Sequence, residues 1–134
     1  MQTLTVTSKM RAFVGGAFYP TGFSLIMYPS EDETLEMARR LTDHLFRIED
    51  IFLVPPSVVL HEIAPTVDAS NNPLPSMGSD GSIARGLVDL AEQGHVGLLV
   101  RTSNDQAINA LRGVIANSNY SFAKAYHTLA IEDL

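Results

Sequence analysis

Leu25-Ile-Met-Tyr-Pro-Ser-Glu-Asp-Glu-Thr-Leu-Glu-Met-Ala-Arg39 decides the fold. An apolar run stops at Pro29, where strand pairing loses a donor. Ser30 to Glu33 then has the form of a capping box, and the acids at 31 to 33 suit the positive end of a helix. The helix that follows carries Leu35, Ala38, Leu41 and Leu45 at helical spacing and is expected to end near Phe46. A shift of 73 residues lays this stretch on a second one, Leu98 to Arg112. Leu25 then falls on Leu98, Ser30 on Ser103, Glu33 on Gln106 and Leu35 on Ile108. The second helix is expected to bury Ile108, Leu111, Val114 and Ile115. A strand at 51–54 follows the first helix, and a final strand, Phe122 to Ile131, follows the second. Two β-α-β units of this kind predict an α+β fold, a ferredoxin-like sandwich with duplicated units and an inserted helical segment. A small doubly wound α/β sheet is the alternative.

Outward from these units the signals weaken. Residues 11–18 read as a glycine-containing strand and 23–28 as its hairpin partner, joined by the turn Tyr19-Pro-Thr-Gly22. Gly15-Gly16 marks a bulge or a close backbone approach. Ser57 to Ala64 reads as a short helix that Pro65 ends. Residues 66–81, rich in Pro, Asn, Ser and Gly, read as a long loop. Ser82 to Gln93 reads as a helix with Ile83, Leu87, Leu90 and Ala91 on one face, closed by Gly94. Residues 96–100 are a strand. The Thr-rich start, 1–9, is expected as a flexible leader, and 10–134 as a single α+β domain.

The 134 residues are 46% hydrophobic and 18% charged, with a net charge of -6. That composition suits one folded domain and argues against a general binder of nucleic acid or anionic membrane. The absence of cysteine removes disulfides, thiolate catalysis and Cys-ligated zinc. No apolar run reaches the ~20 residues of a spanning helix, and a cytoplasmic location is the default expectation.

Motifs for chemistry are few. His61-Glu62 is half of a zincin motif, but Pro65 stands where the second His is needed. His44, His61, His95 and His127 show no ligand spacing, so no metal is expected. There is no nucleotide or nucleophile motif, so no cofactor and no catalytic residue are assigned. The candidate ligand-binding set is Tyr19 at its turn, with His95, Arg101, Tyr126 and His127. The last four meet if the strands at 96–100 and 122–131 are neighbours. The helix start at Ser103, two residues after Arg101, is a second place for an anion. Phe13 and Phe18 suggest an RNA-binding strand, but their opposite parity sends them to opposite faces.

Ser24 to Pro56, with Ser-Glu-Asp-Glu before its helix and Glu49-Asp-Ile-Phe-Leu-Val54 after it, resembles the βαβ unit of bacterial general-stress-type (YflT-like) domains. The second unit, Gly94 to Leu134, looks similar. The wider pattern, from Tyr19-Pro-Thr-Gly22 to Ala125-Tyr-His127 and Ile131-Glu-Asp-Leu134, also resembles small proteobacterial proteins of uncharacterised role. The resemblance implies a ferredoxin-like sandwich and carries over no catalytic residue. The expectation is a non-catalytic domain that acts through a protein partner or a small ligand, in a stress-linked role. A small enzyme built on the His/Arg/Tyr cluster and a nucleic-acid-binding module are the alternatives. A sheet with one bare apolar face would also favour a homodimer.

Overall fold

The computed structural model describes residues 1–13, 15–69 and 79–134, with side chains described over 1–13, 15–67 and 81–134. The chain forms an α+β fold around a six-stranded mixed sheet. The strands are β1 (Gln2–Thr3), β2 (Phe23–Tyr28), β3 (Ile51–Val54), β4 (Val96–Arg101), β5 (Phe122–Tyr126) and β6 (Ile131–Asp133). Their order across the sheet is β1-β3-β4-β2-β5-β6, with β1 parallel to β3 and every other pair antiparallel.

β2 lies inside the sheet and is buried on both sides, so its run of apolar residues serves two cores. Leu25 and Met27 face one core, and Ile26 and Tyr28 face the other. The second core is closed by α1 (Glu31–Asp43) and α5 (Asp105–Ile115), through Met37, Ala38 and Leu41 of the first and Leu111, Val114 and Ile115 of the second. The first core is closed by a helical segment of three parts, α2 (Pro56–Val58), a π-helix (Val59–Ile63) and α3 (Ala64–Ala69), together with α4 (Ser79–Glu92). Both faces of the sheet are therefore covered. The bare face that would favour a homodimer is not there.

The expected face of α1 needs correction. Leu35 is half exposed and Leu45 lies outside the helix in solvent. The buried positions are Thr34, Met37, Ala38 and Leu41. Thr34 can take an inward place because its hydroxyl reaches the carbonyls of Ser30 (2.9 Å) and Val96 (3.0 Å). The box at Ser30 forms, with Glu33 N–H donating to Ser30 Oγ. The return contact to the Glu33 carboxylate comes from the Ser30 hydroxyl at 2.8 Å and, more weakly, from the Ser30 backbone N–H.

The second helix buries the four residues expected of it, but Asn104, not Ser103, is its cap, accepting from Ala107 N–H at 2.8 Å. The 73-residue offset therefore fails by one: it would place Leu25 and Leu98 on opposite faces of the sheet. An offset of 74, from Ser30 to Asn104, matches the caps. It also pairs the buried Met37 with Leu111 and Leu41 with Ile115.

Other expectations shift as well. None of the described residues among 11–18 belongs to a strand of the sheet. A single antiparallel bridge joins Arg11 to Phe18, and Gly15 and Gly16 turn between them at φ 85° and 75°. The final strand is a hairpin, β5 and β6, whose turn holds His127 N–H on the Ala130 carbonyl. Pro65 does not end its helix. Proline has no N–H to give, and its ring crowds the carbonyl four residues back, at 61. The turn just before it widens, with Ala64 N–H bonded to the Val59 carbonyl five residues away, and the helix then continues. Of the loop expected at 66–81, residues 66–69 belong to α3 and 79–81 to α4, while 70–78 lie outside the described residues. Residues 2–3 pair with Phe52 and Leu53 of β3, and Leu4 is buried in the first core. No described helix is long and apolar enough to cross a membrane.

Candidate functional site

The candidate set of five divides between the two ends of the sheet. β4 and β5 are not neighbours, because β2 runs between them and pairs with both. Both are antiparallel to β2, so they run in the same direction. His95, just before β4, stands at one end, with Nδ1 2.8 Å from Ser121 Oγ. His127, just after β5, stands at the other, roughly 20 Å away at about 3.3 Å per residue. The four residues His95, Arg101, Tyr126 and His127 do not converge in one cleft.

Tyr19, Tyr126 and His127 do meet. The Tyr19 hydroxyl donates to the His127 carbonyl at 2.6 Å, and its ring stands edge-on to Tyr126 at 5.2 Å. Both rings are buried. His127 Nε2 reaches Glu132 Oε1 at 2.8 Å, and Arg112 donates to Glu132 Oε2 at 2.6 Å. The bond from His127 and then that from Arg112 hold the Glu132 carboxyl below its usual range. The result is a clasp that ties α5 to the β5–β6 hairpin. Arg101 is at the same end but across β2, with Nε on Asp50 (3.3 Å) and its guanidinium 4.8 Å over the Phe23 ring. At the opposite end, Glu33 is held low by its bond from Asn119 and then by Ser30. Beside it is a small hollow of about 150 Å³ between Tyr28, Met37 and Ser118.

The larger opening is elsewhere. A cleft of about 490 Å³ lies between residues 6–11 and the turn around 61–66, on the face closed by the irregular helical segment. One wall carries Thr7, Ser8 and Arg11; the other carries His61, Glu62 and Thr66, with Val6 and Pro65 as its apolar surface. The π turn, Val59–Ile63, carries His61 and Glu62, which line this wall. Side chains of the second wall accept from backbone N–H groups of the facing segments. Val6 N–H donates to Glu62 Oε1 at 2.9 Å, and Phe18 N–H donates to the buried Thr66 hydroxyl at 2.9 Å. Arg11 is steered by its own Nε, which donates to the Gly16 carbonyl at 2.7 Å. A Cβ at Gly16 would stand 3.1 Å from Arg11 Nη2, so the glycine there gives the guanidinium its room.

In the sequence His61-Glu62 stands out only as half of a metal motif, and no local pattern marks Thr7, Ser8 or Arg11 as site residues. Among the described residues no group of three or more His, Asp or Glu side chains could hold a metal ion. No protein-family model matches the chain, and neither does any curated protein or solved structure.

Proposed function

We propose that the protein is a non-catalytic domain that binds a small ligand in the cleft between residues 6–11 and the π turn. The observation that carries this is the cleft itself. Its volume falls in the range of small-molecule sites, roughly 300–1,000 Å³, and it joins an apolar wall to a few polar side chains. A π turn at its rim adds support, since such turns are frequent at functional sites. The test is an amide-shift survey of the labelled protein against a library of small fragments. Fragments that move the amides of residues 6–11 and 61–66, and lose their effect in Arg11→Gln, support the reading. A library that perturbs no residue of the cleft overturns it.

The fold that goes with this proposal is a ferredoxin-like sandwich of two duplicated β-α-β units. The antiparallel order β3-β4-β2-β5, the placing of α1 and α5 on one face, and the 74-residue match of caps and buried positions support it. A stress-linked role and a cytoplasmic location belong to the same proposal and rest on the resemblance and on composition alone.

A partner-binding role is a second reading, favoured by two side chains. Phe13, at the tip of the loop between Arg11 and Phe18, and Leu129, in the β5–β6 turn, stand fully in solvent. Covering Phe13 with a second copy of the chain would make a homodimer. Native mass spectrometry reads this directly: a dimer that becomes monomeric in Phe13→Ser supports it, and a monomer at every concentration removes it.

A further inference from the structure

We infer that the cleft takes a zwitterion of the α-amino-acid type, with its carboxylate on Arg11 and its ammonium on Glu62. This rests on the reading of the cleft as a small-ligand site. Arg11 and Glu62 line the same cleft, yet they form no ion pair with each other or with any other described residue. Each is instead held by a neutral backbone group. Arg11 Nε is spent on the Gly16 carbonyl, and Glu62 Oε1 on the Val6 N–H. Two opposite charges thus line one cleft, each with one backbone partner, without pairing with one another.

The remaining donors and acceptors fit a ligand of both signs. With Nε engaged, the two Nη groups of Arg11 are left as a planar fork, the shape that matches a carboxylate. Glu62 Oε2 makes no hydrogen bond with a described residue, so it can accept from an ammonium. A simple anion would have to sit against Glu62, and a simple cation against Arg11. A neutral ligand would cover both charges and pair with neither, which is the costliest outcome. Val6 and Pro65 supply apolar surface for a side chain, and the Thr7 and Ser8 hydroxyls supply further polar contacts at the same wall as Arg11.

Three probes of one shape decide the matter: phenylalanine, 3-phenylpropanoate (which lacks the ammonium) and 2-phenylethylamine (which lacks the carboxylate). Each is titrated into the labelled protein while the amides of residues 6–11 and 61–66 are followed. Phenylalanine is expected to bind at least about ten-fold more tightly than either truncated probe, the loss of one charge-assisted contact. Glu62→Gln keeps the acceptor for Val6 N–H and is expected to remove the preference over the acid alone. Arg11→Gln is expected to remove the preference over the amine. An acid or an amine that binds as tightly as phenylalanine overturns the zwitterion assignment and leaves the cleft as a small-ligand site. So does the failure of all three probes where other fragments shift the same amides. The failure of every probe and every fragment overturns both readings.

Discussion

The two faces of the sheet are closed by different means. One is covered by α1 and α5, regular helices whose side-chain caps and apolar stripes agree with each other. The other is covered by α4, by a helix widened at Val59–Ile63, and by a loop that turns at two glycines. Regular helices pack ridge into groove and leave little room. The widened turn cannot, and the cleft lies there. The largest effect should test whether the two faces share stability but not function. Leu41 and Ile63 are both fully buried, one on each face. Leu41→Ala and Ile63→Ala should each lower unfolding free energy by about 3 kcal/mol, measured by urea denaturation. Only the Ile63 change should alter fragment shifts at residues 61–66. Equal loss of those shifts in both variants would mean that the cleft depends on the whole fold and not on the turn.

The strand pair at the centre gives a second contrast. β2 and β4 are joined over six residue pairs, and Gly97 lies opposite Met27. A Cβ at Gly97 would stand 3.1 Å from the Ile26 carbonyl oxygen and 3.2 Å from a Met27 side-chain carbon. Backbone inside a sheet gives way poorly, so Gly97→Ala is expected to cost about 1–3 kcal/mol by the same denaturation measurement. Gly113, on the exposed side of α5, has nothing within 4 Å of such an atom. Gly113→Ala should stabilise by about 0.5–1 kcal/mol through helix propensity. Opposite signs at two glycines would show that close approach, not glycine content, shapes the sheet.

How much of this was legible in the sequence follows the same division. α5 could be read down to its four buried residues, because apolar character and burial coincide there. In α1 they do not: Thr34 is polar by type but inward, held by two carbonyls, and Leu35 is apolar but turned to solvent. The β5–β6 turn was missed because Thr128, Leu129 and Ala130 carry none of the usual turn residues. The cleft was illegible for a different reason. Its walls come from residues about 6–11 and 61–66, and the bond that joins Val6 to Glu62 spans 56 positions. No local pattern records such a meeting. The Tyr19–His127 contact was half visible, since both residues stood out, but their neighbours Arg112 and Glu132 did not.

A smaller effect separates the two readings of the second cap. Ser103 and Asn104 are both good capping residues, and position alone decides between them. In the structure Asn104 Oδ1 holds the Ala107 N–H, and Ser103 is exposed. Asn104→Ala should therefore cost about 1 kcal/mol, and Ser103→Ala no more than about 0.5 kcal/mol. The reverse ranking, in the same thermal or denaturant series, would restore the 73-residue register and break the match of buried positions at 74.

The smallest effect concerns the clasp at Glu132, the counterpart on the regular face of the unpaired charges in the cleft. Here the carboxylate is joined to both His127 and Arg112, and its pKa lies below the ordinary value for that reason. A lowered folded-state pKa means that the group contributes stability above its unfolded pKa, about 4.3, and that the contribution is lost as pH falls through the folded value. The carboxylate is partly exposed, so the gain is screened and modest. The amides of His127 and Leu134, which bond to Ala130 and Ala123 across the hairpin, should report it. On acidification they should titrate together, with a midpoint below the usual glutamate value, and Glu132→Gln should abolish that step. A midpoint at the ordinary value would mean that Arg112 and His127 touch the carboxylate without favouring its charge. The clasp would then differ from the cleft in geometry alone.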